Sequence, residues 1–152
     1  MKNMKPNYAL LTCTLLFAFA AVSCVDSIDT DPKNLIGRWQ MVKVIHQGNT
    51  ILKPDPSHWL YEVEVEFLKD GKIEGTLFYD TFVGDYVTAD TDSIKFDYWP
   101  YSKRGDSDWG YYFDDNIRSV NTFSLRKKGL NFKYKELYLN YGEGELIFDR
   151  VK

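Results

Sequence analysis

Catalysis would have to start from nucleophiles, metal ligands or paired acids, and few residues here qualify. The two histidines, His46 and His58, have no metal-ligand spacing between them. His46 borders a turn signal, Gln47-Gly48-Asn49, and His58 follows Pro54 and Pro56, so both read as exposed loop histidines. The only cysteines, Cys13 and Cys24, lie near the N-terminus. The chain holds neither a Gly-x-Ser-x-Gly elbow nor a phosphate-cradling glycine loop. Glu62, Glu64 and Glu66 alternate along one segment, the pattern of a wetted strand face. Asp90 and Asp92 flank a turn, and Asp114-Asp115-Asn116 forms a second acidic cluster. Calcium takes such oxygens, but neither stretch follows an EF-hand pattern, and turn chemistry accounts for both. These residues lead to an expectation of no catalytic site, metal or cofactor.

Binding is the remaining chemistry. The stretch from Tyr98 to Phe113 packs aromatic rings around a charged, glycine-containing tip. Trp99, Tyr101, Trp109 and Tyr111 are the candidate ligand contacts there, because such rings stack on sugars, gate a cavity mouth or meet a protein partner. The competing reading is a long hairpin whose rings merely close one end of the fold.

Those rings need a scaffold, and strict alternation supplies it. Tyr61, Val63, Val65 and Phe67 share one face, while the three glutamates take the other. Asp70-Gly71 is a hairpin signal, after which Ile73, Leu77 and Tyr79 continue the inner face. Strands are expected at Phe82–Thr88 and Ser93–Tyr98 around Ala89–Asp92, then in 116–125, from Leu137 to Tyr141, and over Glu145–Val151 after a Gly142-Glu143-Gly144 turn. Leu35–Ile45 supplies the first strand. No long amphipathic helix is expected, and residues 53–59 form at most a single turn. About eight strands with short connections predict an all-β, antiparallel up-and-down barrel, since closure removes exposed edges.

Composition fits. Hydrophobic residues make up 44% and aromatics 16%, enough for a folded core and too much for a disordered tail. Nineteen basic residues face 22 acidic ones, a net charge of −3. That balance argues against nucleic acid as partner and against charge-driven docking on anionic lipid.

The N-terminus is of another kind. Lys2 and Lys5 precede an apolar run, Ala9 to Val22, too short to span a bilayer and laid out as a secretory signal. The run closes as Ala21-Val22-Ser23-Cys24, which resembles the lipobox of bacterial lipoproteins, with Ala21 where that family carries a large aliphatic residue. The alternative is an ordinary secretory signal with a coincidental cysteine. The resemblance implies cleavage before Cys24, diacylglycerol on its sulfur and an acylated amino group, hence a palmitate-type membrane anchor. Val25 in place of an aspartate implies transport to the outer membrane. The expected division is a signal at 1–23, an acidic flexible tether at 24–34 and a barrel domain at 35–152, whose mature form holds no free thiol or disulfide.

A second resemblance concerns the barrel. "NLIGRW", carrying Gly37 and Trp39, is similar to the Gly-x-Trp opening of lipocalins. "LIFDRVK", carrying Phe148 and Arg150, is similar to the last strand of short bacterial lipocalin-like domains. The resemblance implies that Trp39 plugs one barrel end and that Arg150 covers its ring through a cation–π contact; Trp39 as a plain core residue fits the same fold. Two functions stay open. One is a membrane-anchored binding protein of the bacterial envelope, taking a small hydrophobic or carbohydrate ligand at the aromatic mouth. The other is a filled barrel that acts as a protein-interaction or assembly subunit of an envelope complex. An enzyme is a distant third.

Overall fold

Alternation along each strand sorts the molecule into an inside and an outside. The computed structural model describes residues 28–54, 62–77, 80–100, 108–127 and 133–152. Ten strands appear in chain order: β1 (Ile28–Asp29), β2 (Gly37–His46), β3 (Asn49–Leu52), β4 (Glu64–Phe67), β5 (Lys72–Thr76), β6 (Thr81–Ala89), β7 (Ser93–Pro100), β8 (Val120–Lys127), β9 (Tyr134–Tyr141) and β10 (Gly144–Arg150). A nine-residue helix, α1 (Asp108–Asn116), lies between β7 and β8, and short 3₁₀ turns span Pro32–Asn34 and Ile117–Ser119.

Eight of the strands close on themselves. Each of β4 to β10 pairs antiparallel with its chain neighbour, β4 pairs back to β2, and β10 closes the ring on β2. This is an up-and-down barrel, all antiparallel. The turns follow their sequence signals: Gln47 and Gly48 take positive φ between β2 and β3, and Gly71 takes φ 81° between β4 and β5.

Strand β2 serves two neighbours. Its first half, Gly37–Gln40, pairs with β4, and its second half, Lys43–His46, pairs with β3. The register against β10 shifts between Ile147 and Phe148. That bulge lets both Met41 and Val44 face the core across an odd spacing, which strict alternation forbids.

The seam is thin where β7 meets β8. One register pair joins them, Ser93 with Thr122, supported by the Phe123 amide donating to the Asp92 carbonyl at 2.9 Å. Two elements fill in around it. Helix α1 and the following 3₁₀ turn lie against β7, where Arg118 donates to the Tyr98 carbonyl at 2.9 Å. Strand β1 pairs Ile28 with Arg126 and Asp29 with Leu125 on β8.

Two expectations are corrected here. Residues 28–34 are a folded part of the domain and no loose tether, because β1 pairs with β8 and Asn34 donates to the Asp29 carboxylate at 2.7 Å. A helix exists where a strand hairpin was expected, because Trp109, Phe113 and Ile117 recur every fourth residue and all three are buried. Residues 1–27 and the turn expected through residue 59 lie outside the described residues, apart from Lys53 and Pro54.

The interior is packed with rings. Trp39, Phe67, Phe82, Tyr98, Phe113, Phe123 and Phe148 are all fully buried. Phe113 of α1 stands 5.2 Å from Phe82, 5.8 Å from Tyr98 and 6.3 Å from Phe148, ring centroid to centroid. A helix residue therefore reaches into the barrel and meets side chains from three strands.

Candidate functional site

At one end of the barrel, Gly37, Trp39 and Arg150 form a stacked unit. The Arg150 guanidinium lies over the Trp39 ring, 4.9 Å from its centroid. It donates to the Ile36 carbonyl and, at 3.3 Å, to the Asn34 carbonyl. Trp39 donates through its indole to the Leu35 carbonyl at 2.7 Å. Gly37 holds φ 123°, and a Cβ there would stand 2.8 Å from the Arg150 guanidinium. Glycine is thus required twice, for its backbone angle and for the arginine's path. The unit is a lid of internal bonds, and its chemistry is structural.

The four aromatics expected at one mouth occupy different environments. Trp109 is only 2% exposed, facing inward from α1 as part of the core. Tyr111, on the same helix, is 42% exposed. Trp99 projects outward from β7 and is 49% exposed. Tyr101 lies outside the described residues. The amphipathic turn of α1 explains the division: positions 109, 113 and 117 face the barrel, while 111 faces away.

His46 is also not an exposed loop residue. It is the last residue of β2, half-buried, with Nδ1 3.0 Å from the Tyr141 hydroxyl and its ring 6.2 Å from that of Tyr112 on α1. Glu143 stands 3.7 Å from its Nε2. Burial first, and the Glu143 charge second, push the Tyr141 hydroxyl up from its ordinary value. His58 lies outside the described residues.

Among the described residues an open concavity lies on the outside. A groove of about 350 Å³ runs over the outer face of β2, β4, β5 and β6, lined by Arg38, Glu64, Glu66, Glu74, Thr76, Thr81 and Val83 among others. Register builds it. Arg38 stands opposite Glu66, which in turn stands opposite Glu74, so two like charges face each other across β4 and β5. Such a pair is unfavourable unless a cation intervenes. Arg38 supplies that cation at 2.9 Å from Glu66, and this hydrogen bond holds the guanidinium above its ordinary pKa. Glu64 and Glu74 leave the groove with an excess of negative charge. Val83 pairs directly with Trp99, which places the exposed indole at the groove's border. Among the described residues, no group of three or more His, Cys, Asp or Glu stands where it could hold a metal ion.

Sequence patterning found the glutamates but treated them as a solvated row. Arg38 and Glu74 were missed as their partners, because cross-strand register brings them together and no local motif encodes it.

These features define a closed antiparallel barrel with a packed interior and a charged outer groove. No family model and no curated protein matches the sequence. The fold is similar to that of a DUF4847 family protein from Bacteroides vulgatus, at 14% identity and TM-score 0.54, over 76% of this chain and 93% of that one. It is also similar to a protein from Burkholderia xenovorans solved by NMR, at 12% identity and TM-score 0.63, over 86% of this chain and 94% of that one. At these identities the likeness establishes the architecture alone.

Proposed function

We propose that this chain is a lipid-anchored protein of the bacterial outer membrane, held through Cys24, that works by surface contact and not by catalysis or by enclosing a ligand. The filled interior carries the proposal. Ten aromatic side chains belong to the described buried core, Arg150 and Trp39 cover one end, and α1 sends Phe113 and Trp109 into the other. A barrel of this size has room for packed side chains or for one small ligand, and here the rings take that room.

The contact is assigned to the outer groove. Its uncompensated carboxylates, Glu64 and Glu74, beside the exposed Trp99 suit a cationic, partly apolar segment of another envelope protein. A glycan stacked on Trp99 is the second reading, favoured by the half-exposed indole next to the groove threonines.

Position-specific photo-crosslinking in the native host tests the assignment. A crosslinker at Val83 is expected to give one discrete protein adduct, weakened by Glu74→Lys and by Glu64→Lys, with none from Gly142 in the β9–β10 turn. Adducts to carbohydrate lost in Trp99→Ala would favour the glycan. Equal labelling from Val83 and Gly142, unaffected by charge reversal, would overturn the groove.

A further inference from the structure

Residues 28–34 join the barrel without a single buried side chain. Apolar burial, the main source of hold between elements, is therefore absent from this segment. Polar bonds hold it instead. Ile28 pairs with Arg126 and Asp29 with Leu125 on β8. The Asp29 carboxylate is the hub, accepting from the Asp31 amide at 2.8 Å, from the Asn34 side chain at 2.7 Å and from the Tyr134 hydroxyl. Burial would raise its pKa, but these hydrogen bonds bring it below the ordinary carboxylate range. Asp31 accepts from the Lys33 amide at 3.0 Å, and Arg150 donates to the Asn34 carbonyl at 3.3 Å. Bonds in such partly exposed positions each add little net stability and open readily.

The hold changes at the next residue. Leu35 is fully buried, and its carbonyl accepts from the Trp39 indole at 2.7 Å. Arg150 donates to the Ile36 carbonyl, and Gly37 opens β2. The barrel itself does not depend on the segment. Its ring closes through β2 and β4 to β10, without β1. Strand β8 keeps β9 along its other edge from Val120 to Lys127, and the Arg126 guanidinium lies over the Tyr138 ring of β9, 4.0 Å from its centroid. The folded domain thus begins with seven residues held by polar bonds, followed at once by a residue locked in the core. A pull from the N-terminal side meets Ile28 first. It meets Leu35 only after the polar bonds have parted.

We propose that residues 28–34 are a releasable strap that gives the barrel two tether lengths. Docked, the chain enters beside β8. Released, it extends as far as Leu35 while the barrel stays closed, which adds at most about 25 Å of reach at ~3.6 Å per residue. The longer form widens the range over which the outer groove meets a partner. The tether role rests on the reading of Cys24 as the lipidated residue; the release of the strap does not.

Native-state hydrogen exchange of the purified mature chain, followed by NMR in rising guanidinium, tests the strap. The Asp31, Lys33 and Asn34 amides donate within it, and the Trp39 indole N–H reports on Leu35. After correction for intrinsic rates, the three amides are expected to exchange together through an opening that denaturant hardly affects, roughly tenfold or more as often as the Leu139 amide in β9. The Trp39 indole is expected to exchange with Leu139, not with the strap. Tyr134→Phe should make the strap open several-fold more often and leave Leu139 unchanged. Strap amides that exchange only with Leu139, or that show no protection at all, would overturn the proposal. A Trp39 indole that exchanges with the strap would overturn it too, by removing the stop at Leu35. A mature chain whose mass shows no lipid would overturn the anchoring reading and the tether role, whatever the exchange of the strap shows.

Discussion

Single residues bear much of the stability at the Trp39–Arg150 end. Arg150 combines charged hydrogen bonds to two backbone carbonyls with its contact over Trp39. Arg150→Met keeps the stem and loses the donors, so it is expected to cost about 2 kcal/mol in chemical denaturation. Gly37→Ala should destabilise comparably, through its positive φ and the arginine it would displace. A result near zero for both would mean that the stack is decorative. The Asp29–Tyr134 bond makes a separate prediction about pH. Asp29 titrates below its unfolded value, so its contribution is present above about pH 4 and disappears as pH falls through the folded value. Tyr134, hydrogen-bonded to Asp29 and partly desolvated, is pushed up to about 12. Its contribution is full below about pH 10 and disappears as pH rises toward 12. The protection of the Asp29 amide relative to its intrinsic exchange rate should therefore be highest on a plateau between those limits, and Tyr134→Phe should remove the alkaline limb. An alkaline limb unchanged in Tyr134→Phe would rule out that bond as its source.

The elements differ in how plainly the sequence announces them. Asp70-Gly71 and Gly142-Glu143-Gly144 specify hairpins by local conformation alone, and those turns stand where they were expected. The alternation of Val63, Val65 and Phe67 with glutamates marks β4, though the strand observed runs over Glu64–Phe67 and Tyr61 lies outside the described residues. Helix α1 was hidden by its composition: Trp-Gly-Tyr-Tyr-Phe is poor in helix formers and reads as loop. Its signal was the fourfold spacing of Trp109, Phe113 and Ile117, visible only once a helix is entertained. Strand β1 is two residues long and carries no period. The charged groove depends on pairing partners far apart in sequence, so no local pattern foretells it. Phe113→Ala removes the ring that joins α1 to Phe82, Tyr98 and Phe148, and should cost about 4 kcal/mol. Gly75→Ala should be severe for another reason: an added Cβ would overlap the Glu64 carbonyl and press on the Phe82 ring. Tolerance of Gly75→Ala would mean that β4 and β5 can separate without loss.

At the scale of the whole molecule, closure and filling go together. Closing the sheet removes its edges, and filling the barrel leaves the outer surface as the place where the proposed contact would be made. On one flank of that surface Glu64, Glu66 and Glu74 outnumber Arg38 and leave the groove acidic. Among the described residues no helix is long and apolar enough to cross a membrane. A protein that works by surface contact, as proposed, needs an interior without a ligand site. Titration of the folded chain with the apolar fluorophore N-phenyl-1-naphthylamine tests it most directly. No saturable binding is the predicted result; saturable one-to-one binding, displaced by a fatty acid, would contradict it.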